Sequence, residues 1–120
     1  MEMVQQRRTR YLAHRECHRY SMDDPVTANP LFDRLSAELL SSLPIFPSQE
    51  PVACNPNLRL YKYTKGMSFG RHIDESCTLP GLGETRFTIL IYLSSCQGGA
   101  TRFEHDVAFV PQAGAMLLHL

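Results

Sequence analysis

The feature that most constrains the fold is the apolar stretch at residues 85–93, TRFTILIYL, which carries the strongest strand signal in the chain. It is rich in β-branched and aromatic residues and has the length of an ordinary strand. Its apolar residues follow one another without alternating, which predicts a strand buried on both faces.

The whole sequence after residue 57 has the character of short strands separated by turns. Lys65-Gly66, Gln97-Gly98-Gly99 and Pro111–Gly114 are turn signals, and Glu104-His105-Asp106 predicts an exposed turn. Residues 75–84 predict a loop. We expect strands over residues 58–64, 85–93, 100–103, 107–110 and 115–120, with a short extended segment over 68–74.

The first part of the chain predicts helices. Residues 1–20 mix charged and apolar side chains, and we expect a helix there, followed by a turn-rich stretch over 21–28. A second helix is predicted from Asn29 as the cap and Pro30 as the first helical residue. It ends at Pro44, and a proline-rich loop follows to residue 57. Its apolar stripe consists of Leu31, Leu35, Leu39 and Leu43.

Length and composition fit one small α+β domain, with helices packed outside a β-sandwich. The 120 residues have a formal net charge of zero, which removes any general case for nucleic acid or an anionic membrane as partner. No apolar run is long enough for a membrane span, and no signal peptide is visible, so a cytoplasmic location is favoured.

The four cysteines form no CxxC pair. They favour reduced thiols, with two disulfides as the alternative.

The triplet His72-Ile73-Asp74 is the main candidate for chemistry. In an extended segment, residues two apart point to the same face, so the imidazole and the carboxylate could reach one metal ion. Two such ligands and a distant histidine make the facial triad of non-haem Fe(II) oxygenases. The triplet is common by chance, so its neighbours decide how it is interpreted.

Seven segments around and beside the triplet form a recognisable series: His18-Arg19, Asp23-Asp24-Pro25, Asn55–Gly66, Phe69–Asp74, Thr85–Leu93, Gly98–Phe103 and Pro111–His119. In their residues and their order, these segments resemble the prolyl 4-hydroxylase-like branch of the 2-oxoglutarate- and Fe(II)-dependent dioxygenases. Ala100 stands where that family usually has Glu after the double glycine, which departs from the pattern.

The resemblance implies a double-stranded β-helix, the jelly-roll or cupin-like core, with N-terminal flanking helices and an incomplete C-terminal end. Residues 1–54 would be a helical support region and residues 55–120 a partial dioxygenase core, together forming one domain. It also implies Fe(II) as the metal, 2-oxoglutarate as a small-molecule cosubstrate, and ascorbate to keep the iron reduced. A protein or peptide is the expected substrate, with prolyl residues as the leading case, and the loop Glu75–Glu84 is expected to help select it.

Site roles follow where positions match the family. His72 and Asp74 would be iron ligands, and Tyr63 would hydrogen-bond a 2-oxoglutarate carboxylate. Thr101, after the double glycine, would line the cofactor pocket. Thr88 could line the same pocket from the central strand, as could Tyr92, although core packing is the competing interpretation for both.

The resemblance places the third iron ligand and the basic residue that pairs with 2-oxoglutarate after Leu120. We therefore expect a two-ligand site that binds Fe(II) weakly, in a form that is poorly active or is completed by further sequence. His119 is a less favoured third ligand, and His105, in an exposed turn, is less favoured still.

Two rival interpretations remain. The first is a jelly-roll binding module without enzymatic activity, which shares the fold and does no redox chemistry. The second is a small zinc protein that uses His14, Cys17 and His18, whose spacing would suit a helix but which lack the second half of a zinc-finger pattern.

Overall fold

A three-stranded antiparallel sheet occupies the N-terminal part of the computed structural model, which describes residues 1–43 and 49–120. Its strands are β1 (Glu2–Gln6), β2 (Arg15–Asp23) and β3 (Asn57–Lys62), in the order β1-β2-β3. Val4 faces Cys17 across the first strand pair, and Tyr20 faces Leu60 across the second. The strand predicted over residues 58–64 is thus confirmed as β3.

The helix expected over residues 1–20 is wrong, because this stretch holds β1 and most of β2. The pairing explains the error. β2 forms hydrogen bonds on both edges, with β1 and with the distant β3, and a strand's preference depends on such partners more than on its own residues. Cys17, in the middle of β2, is completely buried.

Two short helices replace the single one expected from Asn29. Helix α1 (Pro25–Asp33) begins earlier, because the Asp24 side chain accepts a hydrogen bond of 3.1 Å from the Thr27 backbone N–H. Pro30 lies inside α1 rather than at its start. Helix α2 (Ala37–Ser41) is capped by Ser36, whose hydroxyl accepts from the Leu39 N–H at 3.0 Å. The predicted stop at Pro44 and the start of the predicted loop lie outside the described residues.

The remaining strands are short and antiparallel. They are β4 (Thr78–Leu79) with β5 (Gly83–Glu84), β6 (Thr88–Ile91) with β9 (Met116–His119), and β7 (Thr101–Arg102) with β8 (Ala108–Phe109). The strands predicted over residues 85–93, 100–103, 107–110 and 115–120 are confirmed as β6, β7, β8 and β9. The expected loop over 75–84 instead contains the β4–β5 hairpin. The extended segment expected over 68–74 contributes one isolated bridge, between Phe69 and Arg15.

The turn predicted at Glu104-His105-Asp106 is confirmed. His105 and Asp106 have φ angles of 63° and 61°, in the left-handed region that tight turns require. The Phe103 N–H donates to the Val107 carbonyl at 2.8 Å and closes the turn between β7 and β8.

Burial of β6 on both faces, expected from its apolar run, is wrong. Thr88, Ile89 and Leu90 are only half-buried, and Ile91 is 44% exposed. In the part of the chain that the structure describes, β6 pairs with β9 alone, so its other edge has no strand to cover it.

The chain divides into two compact units. The first comprises Met1–His72 with Cys77–Glu84, and the second comprises Ile73–Ser76 with Thr85–Leu120.

The fold is rich in antiparallel strands and contains few helices. All four cysteines are free thiols. No helix among residues 1–43 and 49–120 has the length and apolar character needed to cross a bilayer.

Candidate functional site

His72 belongs to the first unit, where a backbone carbonyl determines its tautomer. Its Nδ1 lies 2.8 Å from the Gly70 oxygen. A carbonyl oxygen can only accept, so Nδ1 carries the proton and, in the neutral ring, Nε2 carries the lone pair. Histidines that bind metals usually have their second nitrogen held in this way. In this tautomer, Nε2 is the nitrogen whose chemistry is that of a metal ligand.

The backbone that supplies this carbonyl is held against the start of β2. The Glu16 N–H donates to the Ser68 carbonyl at 2.8 Å, and the Gly70 N–H donates to the His14 carbonyl at 2.6 Å. A Cβ at position 70 would lie 3.3 Å from the His14 oxygen and 3.4 Å from its nitrogen. Only glycine fits here without a local shift, so Gly70 allows the close approach that positions the carbonyl.

The ring plane of His72 is set by Phe69. The two rings stack with centroids 3.6 Å apart and planes 5° from parallel. The Arg15 guanidinium lies over the same phenyl ring, 3.9 Å from its centroid. Sequence reasoning missed Arg15, Phe69 and Gly70 as supports of the histidine. Only the Phe-Gly pair just before His72 could have signalled them.

Asp74 belongs to the second unit, where strand β6 contacts it. The Thr88 hydroxyl donates to Asp74 Oδ2 at 2.8 Å. His119 Nε2 lies 3.9 Å from the same oxygen, beyond hydrogen-bonding distance. Thr88 and His119 face each other across the β6–β9 pair, so one cross-strand pair flanks this carboxylate.

The orientation of His119 follows from its other contacts. Its Nδ1 lies 2.7 Å from the Leu120 carbonyl oxygen, which makes Nδ1 the donor and directs Nε2 toward Asp74. The Phe103 ring meets the imidazole edge-on, with centroids 4.9 Å apart. The structure thus brings His119 near Asp74, as only the less favoured assignment of His119 as third ligand would have implied.

Tyr63 follows β3 in the first unit, beside the buried Cys17. Burial, with the Cys17 thiol as a further cause, raises the pKa of Tyr63 to about 12. The phenol consequently stays protonated further into the alkaline range than an ordinary tyrosine, and as O–H it can donate a hydrogen bond. That property suits the predicted contact with a carboxylate, and the contact itself stays a prediction.

Thr101 belongs to the second unit and pairs with the other tyrosine that the sequence singled out. Its hydroxyl lies 2.6 Å from the Tyr92 hydroxyl, and both residues are partly buried. The pair joins β7 to the residue after β6. Both pocket-lining assignments stay predictions, and the hydroxyl pair is their described environment.

The predicted metal ligands His72 and Asp74 fall in different compact units. No group of three or more His, Cys, Asp or Glu side chains that could hold a metal occurs among residues 1–43 and 49–120. The helical spacing proposed for the His14, Cys17 and His18 cluster is wrong, because Cys17 and His18 lie on strand β2. Neighbouring strand residues point to opposite faces, which separates these two side chains.

Comparison with protein-family models, with curated proteins and with solved structures found no match.

Proposed function

We propose that this chain is the core of an Fe(II)- and 2-oxoglutarate-dependent dioxygenase of the prolyl 4-hydroxylase-like branch, built on a jelly-roll. The observation that carries the proposal is the hydrogen bond between His72 Nδ1 and the Gly70 oxygen. It leaves Nε2 as the lone-pair nitrogen within a motif that the sequence resemblance had already selected. The proposed ligands are His72 and Asp74.

The donor set fits the metal. Imidazole nitrogen and carboxylate oxygen are donors that Fe(II) takes in such oxygenases. The histidine has its tautomer fixed by a carbonyl, the kind of support that ligands of metal sites usually have. When bound, Fe(II) with 2-oxoglutarate and dioxygen would supply the oxidising chemistry that hydroxylates a carbon, with one oxygen atom entering the product and the other entering succinate as carbon dioxide is released.

The protein's own residues would bind the metal and orient the cosubstrate. His72 would hold the metal through Nε2, and its stacking on Phe69 would prevent the ring from rotating. Tyr63, with its phenol protonated, would donate to a 2-oxoglutarate carboxylate. Thr101 would line the pocket, and ascorbate would keep the iron reduced. We propose prolyl residues of a protein as the leading substrate class.

Anaerobic Fe(II) titration tests the metal site directly. Asp74→Asn keeps the shape of the side chain and removes its charge, and we expect it to weaken Fe(II) binding at least tenfold. Asp33→Asn is the matched control, because Asp33 is an exposed aspartate at the end of α1. Unchanged Fe(II) affinity in Asp74→Asn would refute the proposed site.

The histidine needs a separate pair of variants. His72→Asn should weaken Fe(II) binding, whereas His105→Asn should not, because His105 lies in the exposed turn and asparagine tolerates its φ of 63°. Equal losses in both variants would mean that the effect is not specific to the motif.

Turnover separates an oxygenase from a non-enzymatic jelly-roll binding module. Succinate formed from 2-oxoglutarate only in the presence of Fe(II) and dioxygen supports the oxygenase. Metal and 2-oxoglutarate binding without any succinate, in a form that carries the complete ligand set, favours the binding module.

A further inference from the structure

The Asp74 carboxylate has a specific neighbour whose role the proposed function leaves open. Thr88 was expected to line the cofactor pocket, but its hydroxyl points to Asp74 Oδ2 at 2.8 Å. We infer that Thr88 is a positioning residue, which orients the Asp74 carboxylate toward a bound divalent metal. The inference rests on the proposed function, since it concerns the same carboxylate.

The need for such a residue follows from the torsional freedom of aspartate. Rotation of a carboxylate about its last bond is broad and has no sharp staggered minima. A single directional hydrogen bond can therefore select one orientation of the two oxygens. A ligand that already has its bound orientation loses less entropy when the metal arrives.

Thr88 is well placed to select that orientation because its own position is fixed. It lies in β6, paired with His119 of β9, and it is half-buried. As a β-branched residue it has a restricted χ1, so the direction of its hydroxyl is limited before any bond forms. Asp74, by contrast, lies in the short segment Ile73–Ser76, which has no regular secondary structure.

His119 is the competing candidate for this role. Its Nε2 is 3.9 Å from Asp74 Oδ2, too far for a hydrogen bond. Its proton is on Nδ1, which faces the Leu120 carbonyl at 2.7 Å. A neutral His119 thus offers Asp74 a lone pair rather than a donor. The geometry favours Thr88 over His119 as the residue that orients the carboxylate.

The experiment compares two substitutions at one position by anaerobic titration with Fe(II), and with Co(II) as a spectroscopic probe. Thr88→Val keeps the branched shape and loses the hydroxyl, and it should weaken metal binding by about 10- to 100-fold. Thr88→Ser keeps the hydroxyl and should restore most of the affinity. Thr78→Val is the matched control, since Thr78 is an exposed strand threonine in β4.

Thermal unfolding of the metal-free variants separates positioning from loss of fold. Should Thr88→Val unfold, Thr88→Ser and Thr88→Asn still test whether metal affinity follows the presence of a donor. Wild-type affinity in a folded Thr88→Val, with weakened binding in Asp74→Asn, would overturn the inference and leave the proposed function intact. Loss of affinity in both Thr88→Val and Thr88→Ser would also overturn it, because the hydroxyl would then not be the cause. If Asp74→Asn binds metal normally, the proposed function itself fails.

Discussion

The raised pKa of Tyr63 predicts a specific loss of stability at high pH. The pKa moves from 10.0 to about 12, chiefly because burial disfavours the phenolate. At about 1.4 kcal/mol for each unit, the full shift would correspond to about 2.7 kcal/mol. Tyr63 is 45% exposed, so solvent screens much of the effect, and about 1 kcal/mol is the expected contribution.

The sign follows from the direction of the shift. A group whose pKa is raised by folding contributes stability that is fully present below the unfolded value of 10.0. That contribution is lost as the pH rises from 10.0 to about 12. Tyr63→Phe removes the titrating group, so the variant should lose about 1 kcal/mol less of its unfolding free energy than wild type over this interval.

Two measurements check this prediction. Urea unfolding at several alkaline pH values gives the pH dependence of the free energy of unfolding. The difference in tyrosinate absorbance between wild type and Tyr63→Phe should be centred above 10.0, displaced toward 12. Tyr11→Phe calibrates the amplitude of one tyrosine, because Tyr11 is 86% exposed. A difference titration centred at 10, or identical pH profiles of stability, would refute the reasoning.

Two further substitutions test the supports of the site and of α1. Gly70→Ala places a Cβ 3.3 Å from the His14 oxygen, so the backbone must shift, and we expect urea unfolding to show a loss of about 1 kcal/mol with weaker Fe(II) binding. Asp24→Asn keeps an acceptor for the helix cap but does not titrate. The Thr27 hydroxyl and backbone N–H lower the pKa of Asp24, so wild type should lose stability as the pH falls below 3.8 more than the variant does, by thermal unfolding.

Each of these predictions can fail in a defined way. An unfolding midpoint for Gly70→Ala equal to that of wild type would show that His14 moves aside at no cost. Parallel acid profiles for wild type and Asp24→Asn would mean that the Thr27 hydrogen bonds do not distinguish the folded from the unfolded state.

The sequence predicted those strands whose own residues and flanking turns mark them. β3 and β6 lie where aromatic and β-branched residues occur, β9 is an apolar stretch that follows the Pro111–Gly114 turn, and the turn at Glu104–Asp106 was identified by its polar residues. β1 and β2 were mistaken for a helix because their stability comes from pairing, including the pairing of β2 with residues far along the chain. No local pattern contains that information.

For the candidate site, the sequence predicted which residues take part better than it predicted which atoms those residues contact. His72 was identified through its motif, whereas its hydrogen bond to Gly70 and its stacking on Phe69 depend on a backbone path that only the folded chain defines. Thr88 was predicted to be a pocket residue, which stays a prediction, and the contact of its hydroxyl with Asp74 was not foreseen. The pattern of a strand predicts to which face of the sheet a side chain points, but it does not predict which atom that side chain contacts.

The division into two units has a consequence for where the chain can be truncated. Neither unit is continuous in sequence, because the chain enters the second at Ile73, returns to the first for Cys77–Glu84, and leaves again at Thr85. A truncation before Cys77 would therefore remove part of the first unit, including the contact of the Asn55 amide with the Cys77 thiol at 3.4 Å. A fragment that ends at His72 lacks Cys77–Glu84 and therefore cannot form the whole of the first unit.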